Sequence, residues 1–543
     1  MRPILTLHDP ATARAYYAAG LWRDDTFYSL LAARAARAPE RFALRDGRQR
    51  LGWLALKARV DAMADSLVNA GLTAGDRVAI WMSNRAEAVI AFLACSREGM
   101  ACNPSLHRTH TCGEVIDLLG TLEAKALLTE EDWGADRKEK DFTAMLRDLP
   151  FLRKVYAADR PPLHITSVES QPHGNPDSVV YLAFTSGTTG RPKCVMHSSN
   201  TLLANARDLA RDWDLDERSV ILSLSPLSHH IAWVAVGQWL VCGGEMVTDD
   251  PPVGMSRLDW IVATDATYVL GVPTHAMEIL AEQKRRGLAT MGKVDTFYMA
   301  GAPIPEVVAK AFVDQGIAPQ NIYGMTECSS HQYTHPRDPE RVWISTCGRG
   351  GSAYSVRIWD PANPDQEMAP GETGEIGGRG ACLMLGYYGN QTATEKTFNS
   401  RGYMLSGDLG SFDPDGNLRI EGRIKDLIIR GGHNIYPARI EALALTHPAI
   451  EKAAAFGVAD DRLGEKVCLA VIGDIEPEAL LAHLAAEDLS KFDMPEWYLN
   501  LAAMPLTASG KILKRELAAM VARGELSPQP VRYVPKKVSA DAR

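Results

Sequence analysis

Apolar residues return every three or four positions in TFYSLLAARAARAPE, which predicts a helix opening after Asp25 and closing at Pro39. DAMADSLVNAGL repeats the pattern and is stopped by Gly71, and NRAEAVIAFLACSREG repeats it again up to Gly99. Between them DRVAIWM is a short apolar run of strand length, as are VVYLAF, SVILSLSP, TYVLGVP and VDTFYMAG further on. A helix is predicted from Pro305 to Gln315. Strands this apolar must be covered on both faces, so the alternation argues for an α/β fold of mostly parallel sheets flanked by helices.

From about residue 345 the texture changes. STCGRGGSAYSVRIWD, ETGEIGGRG and GYMLSGDLGSFDPDGNLRIEGR are short strands punctuated by Gly, Asp and Asn turns, a β-rich subdomain at about 345–424. After KDLIIRGGHNIYP, the stretches EALALTHPAIEKAAAFGV and PEALLAHLAAEDL space helices and strands more widely, as in a small α+β domain. The expected organisation is therefore a large N-terminal domain, 1–424, and a smaller C-terminal domain, 425–543.

Composition narrows the class. The 543 residues leave room for several domains, and contents of 46% hydrophobic and 23% charged are those of a globular protein. Fifty-eight basic against 67 acidic side chains give −9, which offers no basis for binding nucleic acid or an anionic membrane. The first residues lack a long apolar core behind their charges, and no run approaches 18 apolar residues, so neither a secretory signal nor a spanning helix is expected. Nine scattered cysteines without a CxxC pair point to free thiols and a cytoplasmic setting.

The candidate chemistry begins at TSGTTGRPKCVMHS, residues 185–198. A P-loop needs two glycines five apart before Lys and a hydroxyl residue, whereas Gly187 and Gly190 are three apart and Pro192 precedes Lys193. What remains is a loop of amides and hydroxyls after a buried strand, with Arg191 and Lys193 to attract anions. Histidines come in pairs (His107 and His110, His229 and His230, His331 and His335), but none has a cysteine or acid at a spacing that makes a zinc site persuasive.

LAFTSGTTGRPKCVMH, IYGMTE, SGDLG, GRIKDLIIRGGHNIYPARIE and PLTASGKILKREL occur in the order seen in the adenylate-forming superfamily, which the chain resembles from roughly residue 25 to 520. The resemblance implies that a carboxylate attacks the α-phosphate of Mg·ATP to give an acyl-adenylate and pyrophosphate, after which a thiol, usually of CoA, displaces AMP. It implies that Thr185, Ser186, Gly187, Thr188, Thr189, Gly190 and Lys193 cradle the β- and γ-phosphates. Gly301, Ala302, Pro303 and Tyr323 would flank the adenine and Gly324 and Met325 would belong to the same ATP site, with Thr326 on phosphate and Glu327 on Mg²⁺. Asp408 and Arg423 would hold the ribose. Lys511 would be the catalytic lysine at the α-phosphate, and a target for a lysine acetyltransferase. Lys425 takes the hinge position, and Gly431 and Gly432 the path of the pantetheine.

By the same resemblance His229 gates the carboxylate pocket, which His230, Trp233, Val234, Tyr298, Met299, Ala300, Met325, Ser330 and His331 would line. His230 stands where amino-acid-activating relatives place Asp and 2-hydroxybenzoate-activating ones Asn, which disfavours both substrates. KCVMHSSNTL resembles cyclohexanecarboxylate and medium-chain CoA ligases, so a medium-chain, alicyclic or aromatic acid is expected, with ATP, Mg²⁺ and CoA as partners and a monomer or homodimer as the assembly. Two alternatives stay open: delivery of the acyl group to a carrier protein, and a non-catalytic ATP-binding regulator.

Overall fold

A computed structural model describes residues 5–162, 171–185, 192–506 and 512–533. By contacts the chain divides into two compact units. The first holds Met1–Ile304, Val308–Val356 and Gly378–Met404; the second holds Pro305–Val307, Arg357–Gly377 and Leu405–Arg543.

Two large sheets organise the first unit. One is eight-stranded, in the order 329–333, 318–325, 296–299, 268–271, 220–223, 245–248, 42–45, 50–52, and its strands pair in parallel except at the two edges. The other is six-stranded, in the order 154–157, 126–129, 77–81, 101–103, 179–185, 193–198, parallel except for the final pair. The predicted helices are present as Phe27–Arg37, Ala86–Glu98 and Glu306–Val313. The second one begins earlier than its sequence pattern, at Trp53, because Trp53, Leu56 and Val60 bury their side chains as the later turns do.

The helix His230–Cys242 is apolar on nearly every face, as a helix sunk in a core must be. Trp239 stacks on Trp53 with ring centroids 5.1 Å apart and planes 12° from parallel. Burial of one such ring contributes roughly 1.5–3 kcal/mol. Gly237 lets the helix Ser199–Asp212 approach: a Cβ there would lie 2.9 Å from that of Ala206.

In the second unit the strands Met404–Phe412 and Leu418–Arg423 form an antiparallel hairpin with Asp408 opposite Arg423. Further on, the long strands Ile450–Asp460 and Gly464–Gly473 pair antiparallel in a six-stranded sheet and pack against the helices Pro437–Leu445 and Pro477–Ala486. The architecture is mixed α/β with a smaller C-terminal domain, as the sequence pattern predicts. No helix among the described residues is long and apolar enough to cross a membrane.

Candidate active site

The two ends of the 185–198 motif pair with each other. The strand Val179–Thr185 runs up to the loop, and Lys193–Ser198 returns antiparallel, with Thr185 opposite Lys193. The return strand escapes a simple reading of KCVMHS, which mixes polar and apolar residues, yet Cys194 to Ser198 are all buried. Ser186, Gly187, Thr188, Thr189, Gly190 and Lys511 lie outside the described residues.

IYGMTE closes the strand Ala318–Met325 and turns into Ser329–Tyr333. Only glycine fits at 324, where a Cβ would stand 1.9 Å from the Ser329 carbonyl oxygen. Ser329 itself holds a left-handed φ of 55°, uncommon for a residue with a side chain. Two hydrogen bonds fix the turn. His197 lies 2.7 Å through Nε2 from the Thr326 carbonyl, and the Met384 amide donates to the Glu327 carbonyl at 2.7 Å. A carbonyl can only accept, so Nε2 carries the proton and the ring is neutral with Nδ1 towards Thr201 Oγ1, 3.0 Å away. Burial agrees, pushing the His197 pKa down to about 4.

Glu327 is buried, and Tyr387 donates its hydroxyl to Oε1 at 2.9 Å. The same tyrosine ring lies under Lys193, whose Nζ is 4.7 Å from its centroid. The sequence motifs omit Tyr387. Its stretch, LMLGYYGN, carries no periodic signal, and its role shows only where three distant segments meet. Among the described residues no group of three or more His, Cys, Asp or Glu could hold a metal. A hard cation at Glu327 would need oxygens beyond that carboxylate, such as those of phosphate and water. The chemistry such an ion supplies is neutralisation of phosphate charge, and Glu327 is the residue that would hold it.

Of the acid-pocket candidates, several converge. His230 sits 3.0 Å through Nε2 from Ser329 Oγ and 3.3 Å through Nδ1 from the Tyr181 hydroxyl. Tyr298 meets Ser330 Oγ at 2.5 Å. Trp233, Val234, Tyr298 and Ala300 belong to one buried cluster with Tyr181 and Phe92, the Trp233 and Phe92 centroids being 4.4 Å apart. Met325 is partly buried, and His331 is buried between Tyr323 and Tyr354. Met299 is a correction: strand alternation turns it to the opposite face, among Leu222, Val269, Phe297 and Phe312. His229 caps the helix His230–Cys242 and stacks on His107 at 4.4 Å. Burial, with His229 and His110 adding to it, pushes the His107 pKa down to about 3, so the His107 ring is neutral.

Gly301, at φ 89°, begins an exposed turn through Ala302 and Pro303. In the second unit Arg423 Nε pairs with Asp408 Oδ1 at 2.8 Å. Lys425 follows in the short turn Ile424–Asp426. Gly431 and Gly432, both at positive φ, form the exposed two-residue turn between Ile428–Arg430 and His433–Ile435.

Lys193 and the buried Glu327 thus meet on one tyrosine, Tyr387, within a unit built on largely parallel sheets. The chain belongs to the AMP-binding enzyme family, whose profile matches residues 31–388, while that of the AMP-binding enzyme C-terminal domain matches 439–511. It is 27% identical to the medium-chain fatty-acid–CoA ligase of Escherichia coli K12, covering 95% of this chain and 93% of that one. It is 32% identical to a feruloyl-CoA synthase from an Amycolatopsis species, covering 89% and 96%. The o-succinylbenzoate CoA synthetase of Bacillus subtilis, solved with its acyl-adenylate intermediate, superposes with a TM-score of 0.80 at 27% identity over 91% of this chain and 98% of that one.

Proposed function

We propose that this protein is an ATP-dependent acid–CoA ligase acting on a medium-chain, alicyclic or aromatic carboxylic acid. The observation that carries the reading is the convergence of Lys193 and the buried Glu327 on Tyr387. That pairing suits a magnesium–triphosphate substrate, which needs a cation for its oxygens and a carboxylate for its metal. The relatives named as CoA ligases support acyl or aryl activation.

The chemistry follows from the carboxylate's poor leaving group. One acid oxygen attacks the α-phosphorus of ATP, the bond to pyrophosphate breaks, and the mixed anhydride now carries AMP as a leaving group. A CoA thiolate then attacks the carbonyl carbon and expels AMP. In this reading Lys511 offsets charge on the α-phosphate, Asp408 accepts from the ribose hydroxyls, and Lys425 marks the hinge that separates a domain 1–424 from 425–543. The acid, in the same reading, enters beside His230 and Ser329, and the apolar or aromatic Trp233, Val234 and Tyr298 supply its surroundings. Mg²⁺ at Glu327 and regulation by acetylation of Lys511 belong to the same proposal.

A panel of carboxylic acids incubated with ATP and either CoA or a pantetheinylated carrier protein, read as AMP formation, tests it. Turnover of a hexanoate-to-decanoate, cyclohexanecarboxylate or benzoate-type acid with CoA is expected. AMP released only with carrier would replace CoA as acceptor, and no AMP with any acid would leave an ATP-binding regulator. Lys511→Ala should lower acid-dependent pyrophosphate exchange by about 1000-fold, and undiminished exchange would overturn its assigned role.

A further inference from the structure

Tyr387 is held before it holds anything else. Its amide donates to Thr394 Oγ1 at 3.0 Å, its carbonyl receives the Asn390 amide at 3.2 Å, and its backbone bridges Val195 on the lysine-bearing strand. The segment leading to it is clamped from two sides. Leu385 donates to Met196 at 2.8 Å, and Leu7 of the N-terminal segment donates to Leu385 at 2.9 Å, while Trp22 Nε1 donates to the Ala381 carbonyl at 2.8 Å. Such anchoring fixes a ring that then touches two charged side chains.

Both charged groups need an external restraint. The terminal torsion of a glutamate is broad and roughly two-fold, so burial alone does not set its carboxylate plane. A lysine ammonium on four rotatable bonds carries about 2 kcal/mol of rotamer entropy. We propose that Tyr387 is a positioning residue for the phosphate end of the nucleotide: its hydroxyl sets the Glu327 carboxylate, and its ring face holds the Lys193 ammonium in place with the triphosphate bound. The inference rests on the ATP-dependent reading above and adds a residue to it.

The ring contact and hydrogen bonds from the ammonium to phosphate are compatible, so the seat keeps its occupant when the nucleotide binds. A cation over an aromatic face gains about 0.5–2 kcal/mol, and charge-assisted hydrogen bonds to phosphate are roughly twice as strong as neutral ones and add up over several oxygens. Donation of the O–H to a carboxylate also enriches the ring in electron density, so the two contacts reinforce each other. Burial and the neighbouring Glu327 raise the Tyr387 pKa, which keeps the hydroxyl a donor at neutral pH.

The test is MgATP affinity of the full-length protein, measured by calorimetry without the acid, together with the Mg²⁺ concentration that half-saturates acid-dependent pyrophosphate exchange. Tyr387→Phe keeps the ring and the fold; it should weaken MgATP binding about fivefold and raise the Mg²⁺ requirement by a similar factor, leaving the KM of the acid unchanged. Pentafluorophenylalanine at 387 keeps the ring's shape but removes its negative face, and should weaken binding a further two- to threefold or so. In a Lys193→Met background the two aromatic variants should bind alike.

Wild-type protein that fails to bind MgATP would overturn the ATP site and this role with it. Wild-type binding with an unaltered Mg²⁺ requirement and affinity in Tyr387→Phe would overturn the role of the hydroxyl alone. Equal affinity of the Phe and pentafluoro variants with Lys193 present would overturn the seat for the ammonium.

Discussion

Two polar pairs, one in each unit, are built by opposite means. Asp408 and Arg423 face each other across one hairpin, register places them, and the guanidinium side chain is 43% exposed. Glu327 is buried and meets Tyr387 from 60 positions away, while His197 reaches the adjacent Thr326 carbonyl from 129 positions away. The first arrangement is local, with its guanidinium solvated and its carboxylate buried, so Arg423 is the member that can be changed at small cost. The second is assembled from segments brought together by the sheets, and a change in one member disturbs the others. Charge buried on such a frame is preorganised, and that is where the demanding part of phosphate chemistry belongs.

The contrast is open to four tests, the largest effect first. His107, His197, His275 and His331 all lie in the first unit, and burial pushes their pKa values down to about 3, 4, 4 and 3. The unfolded chain takes up protons below about pH 6.5 while the folded one does not, so stability falls with pH through that window. Going from pH 6.5 to 5.5 should remove about 1 kcal/mol for each ring, seen as a lower urea midpoint for the first unit by hydrogen exchange. A midpoint independent of pH would show that these rings are not buried neutral.

Glu327→Gln should come next, lowering pyrophosphate exchange by about 100-fold, because an amide is a poor ligand for Mg²⁺ and mismatches the Tyr387 donor. Exchange within a few-fold of wild type would remove Glu327 from the metal role. Lys425→Pro should reduce thioester formation by about tenfold or more with adenylate formation nearly intact, since proline fixes φ at the hinge. Equal loss in both half-reactions would refute the hinge. The smallest change belongs to the exposed member of the local pair: Arg423→Gln should raise the KM for ATP by only about three- to tenfold, with little change in the urea midpoint. A loss as large as that of Glu327→Gln would erase the distinction between the two regions.

Much of this was legible in the chain. Helical and strand periods located Phe27–Arg37, Arg77–Trp81 and Ala86–Glu98, and the Gly, Asp and Asn turns marked the hairpin that carries Asp408. The motif order led to the AMP-binding family. Met299 was misjudged as a pocket residue because a motif names neighbours in sequence, whereas a strand sends neighbours to opposite faces. Ser329, with its left-handed backbone beneath His230, also escaped, since nothing local distinguishes it from Ser330.

The sequence by itself determined the elements, the change in texture near residue 345 and the residue types available for phosphate chemistry, since each depends on positions a few residues apart. Only the tertiary structure decided that Lys193, Glu327 and Tyr387 share one site, and that the His197 ring is held neutral under Thr326. Hydrogen-bond partners and pKa values depend on which atoms lie a few ångströms apart in the absence of water. That proximity is created by the order of strands in the sheets, which no stretch of sequence contains.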